Sequence, residues 1–181
     1  MLKDMIIEYR ELKADEISRE LFRRFKRYQK VTKRWEKENA AWLLKKVFSI
    51  ENWSEEDFAY LVKCLKHTIE AGGAVCGAFG KETLVGFFSV EKEPFGERRG
   101  YVQLSSIHVS YEHRGCGIGR QLFLMAADKA RQFGGRKLYI SAQSSEETQA
   151  FYKSMRCSEA LEYKQSLTKA EPADCQLEYI L

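Results

Sequence analysis

The sequence predicts an α/β fold (α+β in some schemes): one mixed sheet with helices on both faces. Three observations carry this expectation. Apolar residues before Gly72 mostly follow helical spacing. From Ala74 onward the pattern changes to period two and to short apolar runs, which read as strands. Residues 101–130 then run strand, glycine-rich turn and amphipathic helix without a break.

Residues 5–10 read as a short first strand around Ile6 and Ile7. Ala14, Asp15 and Glu16 can begin a helix, with Ile17, Leu21, Phe25 and Tyr28 on one stripe. Trp35, Trp42, Val47 and Phe48 continue an apolar pattern, so a second helix is expected over about residues 31–47. Ser54 reads as the N-cap of a third helix, with acidic residues in its first turn. Phe58, Leu61, Val62, Leu65 and Ile69 form its buried stripe, and Gly72-Gly73 ends it.

Residues 74–79 and 83–91 form a hairpin around the turn Gly80-Lys81-Glu82, and residues 94–100 a loop. A strand from Tyr101, a glycine turn and a helix to about Gln132 follow, closed by Gly134-Gly135. Residues 137–142 are a strand, and Ser144 or Ser145 caps a helix through Phe151, Tyr152 and Met155. Residues 159–163 and 176–181 are the last strands. With no linker, repeat or low-complexity tract, residues 1–181 are expected to be one domain. Residues 1–73 supply the first strand and acceptor-side helices, and residues 74–181 the ligand-binding core.

Composition narrows the classes of function. A formal net charge of +4 permits an anionic ligand but does not require a nucleic acid. The basic run from Arg19 to Lys37 is interleaved with aromatics, but these share the apolar stripe, so a solvated helix face is the expectation. Five scattered cysteines without a C-x-x-C pair fit neither a disulfide framework nor a zinc site, and no metal is expected. A reducing cytoplasm is the expected compartment. Charge interrupts the apolar run of residues 1–8, so no signal peptide is expected, and no stretch is apolar enough to span a membrane. The oligomeric state is open, a homodimer included.

The organising stretch is residues 101–120. Strand, glycine loop and helix present backbone N–H groups to an anion, and the helix dipole adds to the attraction. Arg114-Gly115-Cys116-Gly117-Ile118-Gly119 has neither the G-x-G-x-x-G spacing of a dinucleotide fold nor the Lys-Ser/Thr of a P-loop. It does match R/Q-x-x-G-x-G/A. Downstream, Ser145 to Cys157 follows N-x-x-A-x-x-F-Y-x-x-x-G-F in Phe151-Tyr152. It departs from it at Ser145, Thr148, Arg156 and Cys157. In these two signatures, and in their order, the chain resembles the GCN5-related N-acetyltransferase (GNAT) superfamily, over about residues 84–181.

The resemblance implies a mostly antiparallel central sheet with two strands splayed at the coenzyme A site. It implies that acetyl-CoA is the cosubstrate and that its pyrophosphate lies on the loop. The residues it assigns to cofactor binding begin with the strand end, Ile107, His108 and Val109. The loop Arg114, Gly115, Cys116, Gly117, Ile118, Gly119 and Arg120 follows, then Ser145 and Tyr152. It nominates Tyr152 as general acid to the CoA sulfur and a backbone amide near Ile107–Val109 as oxyanion donor. Direct transfer to a primary amine of a small molecule is expected, without nucleic acid or membrane as partner. Members with a similar closing strand modify antibiotics such as streptothricin, an analogy that does not fix the acceptor.

The general base is harder to read. Alternation places Gln103, Ser105, Ile107 and Val109 on one face, and neither Gln103 nor Ser105 is a good base at pH 7. His108 has a suitable ordinary pKa but is expected on the opposite face. His113 beside the loop reads as exposed, and His67 as structural. A water chain ending at a carboxylate is the preferred route, with Glu91 and Glu93 as unranked candidates. Cys116, although near a helix N-terminus, faces phosphate rather than the acetyl group, which argues against a nucleophile. Phe25, Tyr28, Trp35 and Trp42 are candidate walls of the acceptor pocket. A protein acetyltransferase and a non-catalytic acyl-CoA or nucleic-acid binder are the rival readings.

Overall fold

The computed structural model describes residues 6–181. Strand β1 is Ile7–Glu11, so the predicted first strand is present; its proposed first residue, Met5, lies outside the described residues. The next expectation fails. Only a short 3-10 turn, Glu20–Phe22, forms where the first helix was predicted. In place of the second helix the chain makes a long antiparallel hairpin, β2 (Tyr28–Glu38) and β3 (Ala41–Asn52). The turn explains it: Asn39 and Ala40 both take positive φ, 48° and 65°, as a two-residue hairpin turn requires. Charge then supports the ribbon, because Lys45 on β3 pairs with Glu36 at 2.9 Å and also with Glu38, both on β2. The basic run from Arg19 therefore lies on no single helix. Phe22 and Phe25 leave it altogether and pack edge-on to Phe87 in the core.

Helix α1 (Glu55–Glu70) begins as expected, with Ser54 and Asp57 forming a reciprocal capping box. Strands β4 (Ala74–Gly80), β5 (Thr83–Val90) and β6 (Tyr101–Val109) follow, then α2 (Ile118–Gln132) and β7 (Lys137–Ala142). Helix α3 (Glu146–Ser154) is capped by Ser145. The strand expected over 159–163 shrinks to β8 (Ser158–Glu159), and a short uncapped helix, α4 (Gln165–Ala170), intervenes before β9 (Cys175–Ile180).

The main sheet has the order β1-β4-β5-β6-β7-β9-β8. Every pairing is antiparallel except β6 with β7, which gives the mixed, mostly antiparallel sheet expected. Two cores face it from opposite sides. One packs α2 residues Leu122, Phe123 and Ala126 on Val85, Phe88 and Leu138. The other packs α1 residues Phe58, Leu61 and Leu65 on Val75, Leu84 and Phe87.

Two irregularities position the site. First, β6 and β7 pair only from Tyr101 to Gln103 against Lys137 to Tyr139, and separate beyond that. Second, β6 carries a bulge. Ser89 pairs with Ser106 and Val90 with Leu104, so Ser105 is an extra residue. The bulge reverses the alternation assumed from sequence. Ile107 and Val109 pack on the α2 side, while His108 turns to the α1 side with Tyr101 and Ser105.

Candidate active site

The separated ends of β6 and β7 enclose a cavity of about 450 Å³, lined by Leu104 to Val109 on one strand and Ile140 to Ala142 on the other. In an antiparallel ladder, consecutive residues turn their N–H and C=O groups to alternate edges. Ser110 N donates to Val85 O on β5 at 2.8 Å. Alternation then leaves the backbone of Ile107 and Val109 facing the cavity. Consistent with this, Val109 O accepts from Arg114 Nε at 3.2 Å rather than from β5.

The glycine loop forms one end of the cavity, with Arg114, Gly115, Gly117, Gly119 and Arg120 on its wall. Gly117 is the N-cap of α2 at φ 82°, without a side-chain cap and without an acidic residue in the first turn. Gly115 is likewise left-handed at φ 73°, and a Cβ added at either glycine would meet nothing within 4 Å. The loop is thus an open concave run of backbone beneath a fifteen-residue helix, with two arginines beside it. It fits a pyrophosphate in charge, donors and space.

The assigned residues are not all equivalent. Ile107, His108, Val109, Arg114, Gly115, Gly117, Gly119, Arg120 and Tyr152 share this cavity wall. Cys116 is exposed on the loop and outside that wall, and the Ile118 side chain is buried in the α2 core. Ser145 is buried as the α3 cap. Its hydroxyl accepts from Thr148 N at 3.3 Å and from Gln29 Nε2 on β2 at 3.1 Å, so it anchors the hairpin to α3.

Tyr152 packs edge-on to Phe123 and Phe151 and is only 6% exposed. Burial pushes its phenol above the ordinary range, and the nearby Cys157 and Asp174 act in the same direction. The His108 ring packs edge-on to Trp53 at 4.8 Å and tilted to Phe87 at 5.5 Å. Desolvation, then the charges of Arg27 and Arg114, lower its pKa to about 3. It is neutral at pH 7 and a weak base. His113 is not simply exposed, because it lines the cavity and its Nδ1 is buried without a partner. His67 is exposed at the end of α1.

The two carboxylate candidates separate. Glu93 is exposed and pairs with Arg99 at 2.9 Å. Glu91 accepts from Ser105 Oγ at 2.6 Å and Thr68 Oγ1 at 2.9 Å, and Ser105 lines the cavity. Sequence reasoning missed a second carboxylate. Asp174 accepts from Ser141 Oγ at 3.2 Å, and Ser141 also lines the cavity. Burial raises Asp174 to about 6, opposed by the Ser141 hydrogen bond. Gln29 on β2 and Arg27 just before it join the same wall, which a helical reading of that segment did not place there. Of the aromatics expected to wall the pocket, Phe25 is in the core, and Tyr28 stacks edge-on to Tyr111 at 5.2 Å. Trp42 Nε1 donates to Glu159 at 3.2 Å, away from the cavity wall.

Splayed strands over an open glycine loop are the arrangement that the resemblance to the acetyltransferase superfamily implies. The sequence model of the acetyltransferase (GNAT) family matches residues 29–155, and the chain belongs to that family. Solved structures agree on the fold. A nourseothricin acetyltransferase is 16% identical with TM-score 0.69, the match covering 95% of each chain. A protein described as a streptothricin acetyltransferase from Bacillus anthracis str. Ames, solved with acetyl coenzyme A, is 15% identical with TM-score 0.73; 98% of this chain and 99% of that one are covered. The PaiA N-acetyltransferase from Thermoplasma acidophilum, solved with coenzyme A, is 16% identical with TM-score 0.57 and coverage of 98% and 100%. No curated protein sequence matches.

Proposed function

We propose that this acetyltransferase moves an acetyl group from acetyl-CoA directly to a primary amine of a small molecule. The observation that supports it best is one cavity holding an open glycine loop at one end, the backbone edge of Ile107 and Val109, unpaired by any strand, along its side, and Tyr152 in its wall. Acetyl-CoA supplies an activated thioester; the chain supplies position and hydrogen bonds. The amides of Gly115 to Gly119 hold phosphate, the β6 edge donates to the carbonyl oxygen, and Tyr152 donates to the sulfur. A small acceptor is favoured because β2 and β3 fold against the β7–α3 connection, with Trp35 N donating to Ser144 O at 2.8 Å, and so narrow the acceptor side. Neighbours named for acetylating nourseothricin and streptothricin support this reading. We read the chain as one catalytic domain acting in the reducing cytoplasm.

The amine must lose a proton before attack, since an alkylammonium has a pKa of about 10.4. Glu91 behind Ser105 and Asp174 behind Ser141 both reach the cavity through a serine hydroxyl. Asp174, at about 6, is the better matched to accept a proton near neutrality. Turnover should therefore rise as pH increases through about 6. Asp174→Asn should lower kcat about 100-fold and abolish that limb. Stability supplies the complementary sign. A folded-state pKa above the ordinary 3.8 means that ionising Asp174 disfavours the fold as pH rises through this window. The Asn variant should be more stable than the parent at pH 8, by about 1–2 kcal/mol, and no more stable at pH 3. Denaturant melts at both pH values, with a pH–rate profile, check this. A pH–rate limb unchanged in the variant assigns the base elsewhere.

The test of the reading itself is an amine panel with acetyl-CoA, following free thiol release. The panel includes nourseothricin, aliphatic diamines and amino acids. Amine-dependent thiol release is expected. No release with any amine, in a protein that binds acetyl-CoA in calorimetry, would leave a binding module.

A further inference from the structure

Arg27 stands just before β2, and its backbone is clamped to the end of β6. Lys26 N donates to Ser110 Oγ at 3.0 Å, Tyr111 N donates to Lys26 O at 2.9 Å, and Trp53 N donates to Arg27 O at 3.2 Å. The side chain is 10% exposed and lines the cavity. Its Nε and Nη1 are buried and have no hydrogen-bond partner. The nearest carboxylate oxygen is Glu51 Oε2, 3.8 Å from Nη2 and beyond hydrogen-bonding reach.

Glu51 is also shared. Its Oε1 lies 3.8 Å from Arg34 Nη2, and its Oε2 accepts from Gln143 Nε2. Arg34 Nε is buried and unpartnered as well. Two guanidinium groups thus compete for one distant carboxylate. Arg114 adds positive charge next to Arg27; Glu147 opposes it, but that carboxylate already accepts from Gln29 Nε2 at 3.4 Å. Desolvation and Arg114 both push the Arg27 guanidinium below its usual pKa. An arginine does not deprotonate in a protein, so a buried one without a partner calls for an anion from outside.

The pyrophosphate is not the best candidate for that anion. The α2 N-terminus with Arg114 and Arg120 already serves it, on the loop side of the cavity. Arg27 lies beside Trp53 at 5.8 Å and close to the His108 ring, on the side of the cavity next to β2 that the reading above gives to the acceptor. We propose that the acceptor carries a carboxylate besides its reacting amine, and that Arg27, unpartnered in the cavity wall, receives that carboxylate. The proposal rests on the acetyltransfer reading above and narrows its substrate class to amino acids and their like.

Matched pairs test it: lysine against cadaverine, ornithine against putrescine, phenylalanine against phenethylamine. With the parent protein, the carboxylate-bearing member of a reacting pair should have a kcat/KM about 10- to 100-fold higher. Arg27→Gln should erase that preference by raising KM for the carboxylate-bearing member, with the affinity for CoA within threefold of the parent. Arg27→Met, which keeps the apolar stem, should do the same and guards against a folding defect in the first variant. Equal or better use of the decarboxylated amines by the parent protein overturns the proposal. So does a variant that weakens CoA binding tenfold while keeping its acceptor preference, because the anion is then a cosubstrate phosphate. Thiol release from both members of a pair without discrimination sinks this proposal alone; no release from any amine sinks the acetyltransfer reading with it.

Discussion

Gly117→Glu is expected to abolish CoA binding, raising Kd by at least about 100-fold in calorimetry, or some 3 kcal/mol. The size of the effect follows from where the side chain would go. A Cβ at Gly117 meets nothing within 4 Å, so the new carboxylate projects into open space at the α2 N-terminus rather than into the core. That space is where backbone donors and the helix dipole would hold pyrophosphate, and a fixed negative charge there repels what it would otherwise admit. The backbone cost is separate. Gly117 sits at φ 82°, and a side chain in the left-handed region costs about 1–2 kcal/mol. Gly117→Ala carries that strain without the charge, so it should lower the melting temperature about as much while weakening CoA only a few fold. Equal CoA affinity for Gly117→Glu and the parent protein would remove the loop from the cofactor site.

This loop was readable because its chemistry is local. A strand, closely spaced glycines and a helix lie consecutively in the chain, and left-handed backbone without a Cβ is a property of single residues. The capping box at Ser54 and Asp57, the β4–β5 hairpin and the α3 cap at Ser145 were legible for the same reason. The hairpin of β2 and β3 was not. Few of its residues are buried, and large apolar side chains lie exposed along β3, Phe48 at 72%, Ile50 at 55% and Leu43 at 44%. Polar and apolar residues therefore fail to alternate cleanly, and Trp35, Trp42 and Val47 fall into helical spacing by accident. The cue that decides it is Asn39-Ala40, a weaker turn signal than Asn-Gly.

The site shows the same division. Motif order led to most of the residues that share the cavity, but Cys116, Ile118 and Ser145 do not line it, and which way the strand residues face did not follow from sequence. One extra residue at Ser105 moved His108 onto the α1 face and Ile107 and Val109 off it, and no period in the sequence announces a bulge. Asp174 and Arg27 were invisible for a different reason. Each reaches the cavity through tertiary contacts, Asp174 through Ser141 on β7 and Arg27 through the end of β6 and Trp53. Their local sequence carries only a proline near the start of a closing strand and one arginine among many.

Tyr152→Phe should lower kcat about 100-fold while leaving the affinity for CoA within threefold. The ring is held by Phe123 and Phe151, so the isosteric change keeps the packing. Thermal stability should therefore be unchanged. What is lost is a proton donor that the fold keeps protonated, because burial raises the phenol above its ordinary range. The direction of that shift also decides how the group works. A coenzyme thiol, at about 8.5, is the stronger acid, so complete transfer from this phenol to the departing sulfur runs uphill. In the acetyl transfer proposed above, Tyr152 would donate a hydrogen bond to charge as it develops on sulfur, in a site where low polarity strengthens it. Two consequences separate this from simple acid catalysis. The parent enzyme should show no alkaline loss of turnover from Tyr152 below about pH 10, because a free phenol ionises only there and burial raises this one further. An acetyl thioester of a more acidic thiol, which needs less stabilisation on leaving, should shrink the gap between Tyr152→Phe and the parent enzyme. A gap that stays constant across donors would mean that Tyr152 positions the cosubstrate rather than assisting departure of its sulfur.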